Sequence, residues 1–588
     1  MDSVTLKKLQ AEVDAMPSPV KTDKARKSIP ENFILDEGGV YFIDEKQEGN
    51  KQKIRICSPL KVKARTRNDD AEGWGRLLEW KDSDGNTHKW AMPMHMLSAD
   101  GADLRSILLD KGLEINSGPQ PKKYLNDYLT QSNPIDRAKC VSKTGWYKNS
   151  FVLPDDVINN NLDEQVILQT TTGEKSQFKQ AGTCEEWVKH IGQYCSGNSR
   201  LVFAASMAFA APLLKIAGDD GGGFNFKGSS SEGKTTALQV ATSICGSPDY
   251  IQSWRATDNG LEGVALCHND ALLALDEMGQ VDPNKAGEIA YMLANGTGKQ
   301  RANRSGEAKS KHTWRVLFLS TGEISLADHL GSVGKKAKAG QEVRLVDIPM
   351  DTGVHGGFEQ LHNFSHGGEL SDYLKEMVEQ YHGVVLRSYL EQLTRKKSSL
   401  ETVIKKARRD FTKDVLPPDA SGQVKRVAGK FGLVAAAGIL ASQMGLTGWD
   451  TTEPVEAAKK CFDAWLAARG GAGNQEDQQA IEQVVSFIEA HGESRFSNLI
   501  SKEGEPRTFN RAGYKETLPN GDTKFYIFSN TFRNEICKGF PSSRVAELCI
   551  KKGLLKPDSQ GSPSHSRALP NATRKQRVYI FTQGGSYV

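Results

Sequence analysis

At 588 residues the chain is too long for a single compact core, so two to four domains are expected; 38% apolar and 25% charged residues exclude wholesale disorder. A formal charge of +4 excludes a global field for nucleic acid or membrane, yet the last 38 residues hold seven Lys/Arg against one acid. The opening MDSVTLKKLQAEVDAM lacks the apolar run of a signal peptide, and no stretch is long and apolar enough for a membrane span; Leu201 to Ala217 is broken by Ser206, Pro212 and Lys215 and reads as a buried helix. Nine scattered cysteines form no CxxC pair, which fits small buried hydrophobes in a reducing, cytoplasmic setting.

In chain order, residues 1–30 show little apolar periodicity and read as a flexible arm with one short helix at Val4 to Met16. Residues 31–155 alternate in short runs (FILDEGGVYFID, KIRICSPLKVKART, WGRLLEWKD) with a DSDGN turn, which predicts an antiparallel β-rich module with one helix near Ala102 to Lys111. Between 180 and 350 helical and strand patterns alternate: helices at Glu185 to Tyr194, Arg200 to Lys215 and Lys234 to Ile244, with strands in GGGFNFKG, ALLALDE and WRVLFLSTGE. That alternation predicts an α/β core with a parallel sheet. Residues 351–470 read as a helical subdomain, interrupted at KDVLPPDASG. After the linker ARGGAGNQEDQQ, residues 478–588 form a smaller unit of helix–helix–hairpin content, as in a winged helix.

The strongest chemical signal is GSSSEGKT, residues 228–235, which satisfies G-x-x-x-x-G-K-[ST] between a strand and a helix. Gly228 and Gly233 let the backbone curl, so that N–H groups of Gly228, Ser229, Ser230, Ser231, Glu232, Gly233, Lys234, Thr235 and Thr236 face phosphate oxygens at a helix N-terminus. Lys234 would reach the β and γ phosphates of ATP, and Thr235 would place its hydroxyl on Mg²⁺. Asp276 and Glu277 end the apolar strand ALLALDE, where carboxylates are costly unless they meet a cation. Asp276 fits the Mg²⁺ network and Glu277 the base that polarises water. Ser320 and Thr321 end the next strand and are candidate γ-phosphate sensors, the plain alternative being a strand-to-turn cap. Arg344 stands just before the strand LVDIP; it reads either as a surface cation or as an arginine finger acting on a neighbouring subunit's nucleotide.

Taken together, FNFKGSSSEGKTTALQVA, WRATDNGLEGVALCHNDALLALDEMGQ, LANGTGKQRANRSG, WRVLFLSTGE and GQEVRLVDIP resemble the domain of unknown function 927 of phage, prophage and plasmid-like replication proteins. The resemblance covers roughly residues 32–445, and that family is similar to superfamily 3 viral helicases and satellite-phage primase-helicases. It implies a P-loop AAA+ ring ATPase that translocates on DNA in a bacterial cytoplasm. It places the finger at Arg344, with Arg301, Arg304 and Arg315 as competitors. Asn295 to Arg315 carries six Lys/Arg against one Glu. By the same resemblance this stretch is a channel hairpin, with Lys299, Arg301, Arg304, Lys309 and Lys311 on DNA phosphates; a solvated charged face is the alternative. Near the C-terminus SSRVAELCIKKGLL is a candidate recognition helix, and Arg574, Lys575 and Arg577 mark a basic wing.

The leading expectation is therefore a hexameric, ATP- and Mg²⁺-dependent DNA helicase for a mobile element, acting on single-stranded or forked DNA, with any primase on a separate chain. A nucleotide-switched origin recogniser, loader or transposition regulator, and an ATPase of anti-phage defence, are the alternatives. Strand displacement separates them.

Overall fold

The computed structural model describes residues 29–45, 51–98, 100–159, 164–169, 176–301, 311–500, 508–570 and 572–583. The expected helix at Val4 to Met16, and nearly all of the expected arm, lie outside the described residues. The chain divides into two compact units, one of Met1–Phe178 with Leu266–Asn269, the other of Lys179–Ala265 and Asp270–Val588.

The first unit is β-rich. Strands β1 (Phe33–Asp36), β2 (Gly39–Glu45) and β3 (Lys51–Cys57) form an antiparallel sheet. A five-stranded sheet is built from β4 (Leu60–Arg67), β5 (Gly75–Lys81), β6 (Thr87–Pro93), β7 (Arg137–Val141) and β11 (Gln165–Leu168) in the order β11-β7-β4-β5-β6, while β8 (Gly145–Tyr147), β9 (Ser150–Val152) and β10 (Val157–Ile158) form a small sheet of their own. The five-stranded sheet is mixed, because β7 lies parallel to both β4 and β11. The helix expected near Ala102 is α1 (Ala102–Asp110). A second helix, α2 (Pro119–Gln131), was not foreseen. Its two prolines fall in the first turn, where no intrahelical N–H is lost. Leu125, Tyr128 and Leu129 follow at helical spacing, and the Tyr128 hydroxyl donates to the Leu60 carbonyl at 2.8 Å, tying α2 to β4.

The second unit is organised by a fully parallel sheet in the order β13-β14-β15-β12-β16. Its strands are β12 (Gly222–Lys227), β13 (Gln252–Ser253), β14 (Leu272–Asp276), β15 (Leu317–Gly322) and β16 (Leu345–Pro349). Residues of β12, β14 and β15 are almost continuously buried, as expected of strands covered on both faces. The crossovers include α4 (Lys234–Cys245), α5 (Asp258–Cys267), α6 (Pro283–Asn295) and α7 (Leu326–Gly331).

Preceding the sheet, α3 (Ser199–Ala210) continues through two short helical turns to Ala217. Among the described residues, Ser199–Ala217 is the one helical stretch long and apolar enough by composition to cross a membrane. All twelve residues of α3 are buried inside this unit, which is the position of a core helix. After the sheet come α8 (Gly367–Gln380), α9 (Val384–Val415), α10 (Gly422–Gln443) and α11 (Glu453–Ala468). They are in the same compact unit as the sheet. Phe431 of α10 sits edge-on to Phe224 of β12 at 5.0 Å between centroids, so this helix joins the core of the sheet.

The last part of the chain runs through α12 (Gln475–His491), β17 (Phe496–Asn498), β18 (Gly513–Thr517), β19 (Thr523–Phe528), α13 (Ser542–Lys551), β20 (Leu555–Lys556), β21 (His565–Arg567) and β22 (Gln576–Gln583). The strands form one sheet around β19 and β22, covered by α12 and α13 through Val484, Ile488, Val545 and Cys549. Of the nine cysteines seven are buried, as their scatter suggested, but Cys267 is exposed.

Candidate nucleotide site

The five strands of the parallel sheet point the same way, so their C-terminal ends share one edge, where ligands of open α/β sheets bind. The loop 228–233 leaves β12 at this edge and leads into α4. Gly233 has φ +86° and Ser231 φ +66°, so the turn needs left-handed backbone, and glycine supplies it at the helix N-cap. At Gly228 the fit is close: a Cβ there would lie 2.0 Å from the movable end of Glu232 and 3.0 Å from Met350 Cβ. The loop is braced from behind by residues 350–358. Met350 N–H donates to the Lys227 carbonyl at 2.7 Å, and Gly357 N–H to the Glu232 carbonyl at 2.9 Å.

Lys234 is buried, and its ammonium donates to the carbonyls of Gly228 (2.7 Å) and Ser229 (2.5 Å). Ser229, Ser230 and Thr235 are exposed at the mouth of the loop. Thr236 turns into the core.

Asp276 and Glu277 end β14, two strands away. Thr321 Oγ1 donates to Asp276 Oδ1 and accepts the Glu277 N–H at 3.3 Å. Glu277 itself has φ +58°, an uncommon conformation for a residue with a Cβ, and this re-aims its side chain at the strand end. The two sensor candidates are separated. Thr321 faces the carboxylates, whereas Ser320 accepts the indole N–H of the buried Trp254 at 2.9 Å. Trp254 N–H also donates to the Asp276 carbonyl at 3.3 Å, so this tryptophan ties β14 to β15 beneath the acids.

Two residues at this edge went unnoticed in the sequence. Asn225 of β12 is fully buried and donates from Nδ2 to Asp347 Oδ1 of β16 at 2.7 Å. Their register was invisible before the strand order was known. Asp347 also lines a cavity of about 530 Å³ beside the loop, with Lys227, Gly228, Ser229, Asp328 and Arg469. Burial pushes the Asp347 carboxyl up to about 6, while Asn225 pulls the other way. The unfolded chain therefore ionises first as pH rises, and the fold loses stability between about pH 4 and 6. Asp347→Asn is expected to remove that loss, gaining about 2 kcal/mol over the native chain at pH 7.5 and little at pH 4. Urea unfolding at the two pH values measures it, and parallel profiles would refute it.

Arg344 is at the other end of the sheet. Its carbonyl accepts the Gly223 N–H at 2.7 Å, at the start of β12, whereas the loop leaves that strand's far end. Six residues of strand separate them, about 20 Å. Arg344 therefore takes no part in its own chain's loop site. Its guanidinium lies over the Tyr291 ring at 4.4 Å and donates to Asn295 Oδ1 at 2.7 Å and the Gly340 carbonyl at 2.9 Å.

The basic stretch after α6 is at this same end and begins as an antiparallel stem. Thr297 bridges Thr313, Gly298 N–H donates to the His312 carbonyl, and Trp314 N–H to the Gly296 carbonyl. Lys299 and Arg301 do not project freely: Lys299 Nζ meets Asp258 Oδ2 and Arg301 meets Glu262 Oε2, each at 2.6 Å. Glu262 is 1% exposed, so these two cations clamp the stem onto α5. Arg304 and Lys309 lie outside the described residues, and Lys311 is exposed. Arg315 pairs with the buried Asp270 at 2.7 Å.

In the C-terminal part, Arg574, Lys575 and Arg577 are all exposed. The pairing of β21 with β22 brings exposed Arg567 opposite Gln576, adding a fourth cation beside them. Arg544 of α13 is tied to Asp477 of α12 at 2.8 Å.

Among solved structures, this chain is similar to SCCmec type IV Cch, an active helicase, with a TM-score of 0.66 at 18% identity over 94% of this chain and 98% of that one. At that identity the likeness shows a shared fold. The A form of the apo C-terminal region of NrS-1 aligns with a TM-score of only 0.27 at 10% identity, over 60% of this chain and 75% of that one, and carries no argument. No curated protein sequence matches. Residues 33–313 match the family model of the domain of unknown function DUF927.

Proposed function

We propose that this chain is a P-loop ATPase of the AAA+ type and works as a ring-forming, hexameric DNA helicase for a mobile element. One juxtaposition carries the reading. The glycine loop with Lys234 leaves β12, and Asp276 ends β14, at the same edge of one parallel sheet, with Thr321 on the intervening β15 bonded to Asp276. This is the equipment of a triphosphate site: N–H groups and an ammonium for phosphate, and carboxylates for a metal and a water. The fold shared with an active helicase supports the remaining step.

Among the described residues no group of three or more His, Cys, Asp or Glu could hold a metal ion alone. A Mg²⁺ here would be one carried by phosphates, with the exposed Thr235 hydroxyl and Asp276 completing its shell. Such an ion would neutralise charge on the β and γ oxygens. Glu277 would orient the attacking water, and Thr321 would hold the Asp276 carboxylate in place. The basic stem after α6 would grip single-stranded DNA by its phosphates, with Lys311 as a contact and Lys299 and Arg301 as its anchors. The Arg567–Arg577 hairpin would hold duplex phosphates, and a primase would come from another chain.

ATP-driven strand displacement on a forked duplex tests the reading. The native chain is expected to displace the strand. Lys311→Ala is expected to lower displacement severalfold without weakening nucleotide binding. ATP hydrolysis without displacement would leave a nucleotide-switched DNA-binding protein instead.

A further inference from the structure

Behind the sheet, at the end away from the glycine loop, lies a cleft of about 880 Å³ between α9, α10 and the start of β16. Its volume is that of a small-molecule pocket. From α9 it takes Lys405, Arg408, Arg409 and Lys413, spaced i, i+3, i+4 and i+8, so cations recur about every 6 Å along one helix face. From α10 it takes Lys425, Arg426 and Lys430. Arg344 also lines it, and among the described residues Asp219 and Asp220 are its only carboxylates.

The arrangement is built, not incidental. Lys430 Nζ donates to the Val343 carbonyl at 3.1 Å and passes so close to Gly222 that a Cβ there would lie 2.1 Å from it. Gly429 makes similar room for Arg408, whose guanidinium pairs with Asp219 at 2.7 Å. Burial lowers the Lys430 ammonium to about 8 against the pull of Asp219, and Arg344, Arg408 and Arg426 add to the lowering. Gathering like charges this way costs stability, and an anion in the cleft would return it. Among the described residues no aromatic side chain lines the cleft, which gives it no stacking platform of the kind with which proteins hold the bases of single strands.

We propose that this cleft binds a condensed phosphate chain, such as the triphosphate of a nucleotide. The chain could come from a nucleotide held on the glycine loop of a second copy, since that loop leaves the opposite edge of the same sheet, or from a free polyphosphate. The site itself does not depend on the helicase reading; only the first source does.

The test is calorimetric titration of inorganic tripolyphosphate into the full chain carrying Lys234→Ala, which disables the loop. One site per chain is expected. Adding Arg409→Gln and Arg426→Gln, both exposed positions, is expected to weaken it at least tenfold without lowering the melting temperature. Lys430→Met is expected to do the same, as a second variant at the cleft's depth. No binding in the Lys234→Ala chain, or binding unaffected by the charge-removing variants, would overturn the proposal. So would displacement of tripolyphosphate by a short single-stranded oligonucleotide at lower concentration, which would make the ligand a nucleic-acid backbone. Sedimentation with ATP separates the two sources on the Lys234 background. Loss of ATP-dependent self-association in the Arg409→Gln, Arg426→Gln chain assigns the phosphates to a neighbouring copy. Unchanged self-association with tripolyphosphate binding lost assigns them to a free ligand. Either result upholds the cleft as a phosphate site, and neither requires the chain to unwind DNA.

Discussion

Arg344→Ala is expected to lower kcat for ATP hydrolysis by about 10³-fold or more, the range of an arginine finger, while leaving nucleotide affinity nearly unchanged. The expectation follows from position. Arg344 is opposite the first residues of β12, about 20 Å from its own glycine loop by strand length, so any help it gives to phosphate chemistry goes to another copy. Its present contacts, the Tyr291 face, Asn295 and the Gly340 carbonyl, hold the guanidinium at the rim of the sheet. A planar five-donor fork suits a γ-phosphate better than a point charge, so Arg344→Lys should recover little. Mixing separates this role from a structural one. Chains carrying Arg344→Ala have an intact loop, and chains carrying Lys234→Ala have an intact Arg344. Each is expected to be inactive alone, and the mixture to regain part of the native rate. Full activity of Arg344→Ala, or no recovery on mixing, would remove the shared site.

Lys234→Ala is expected to reduce ATP turnover by at least about 10²-fold and to weaken nucleotide binding as well. The side chain is buried at the start of α4, and its ammonium reaches back across the loop to the Gly228 and Ser229 carbonyls. That is where a triphosphate lying on the loop would place its β and γ oxygens, so the charge meets the phosphate in the ground state and in the transition state. Both affinity and kcat should therefore fall, in contrast to Arg344→Ala, where kcat alone should. Fluorescent-nucleotide titration beside steady-state hydrolysis distinguishes the two patterns. If Lys234→Ala binds and hydrolyses ATP as the native chain does, the loop is not the nucleotide site.

The local chemistry was legible in the amino-acid sequence because it is encoded by contiguous residues. A glycine spacing that permits left-handed backbone, a lysine opening a helix and carboxylates ending an apolar strand all read directly from GSSSEGKT and ALLALDE. So did the parallel sheet, whose two-sided burial leaves unbroken apolar runs. Even α2 had its signal in Leu125, Tyr128 and Leu129, hidden only by prolines that its first turn tolerates. What the tertiary structure decided concerns residues far apart in the chain. Strand order put Asn225 against Asp347 and set Arg344 at the end opposite the loop. Side-chain direction divided neighbours, sending Thr321 to Asp276 and Ser320 to Trp254. Ion pairing turned Lys299 and Arg301 from free charges into a clamp on α5, and two helices packed through Gly429 gathered cations that the sequence lists as unrelated. Backbone conformation and helix or strand period are properties of neighbours along the chain, whereas a charge takes its meaning from whatever folding brings within a few ångströms of it.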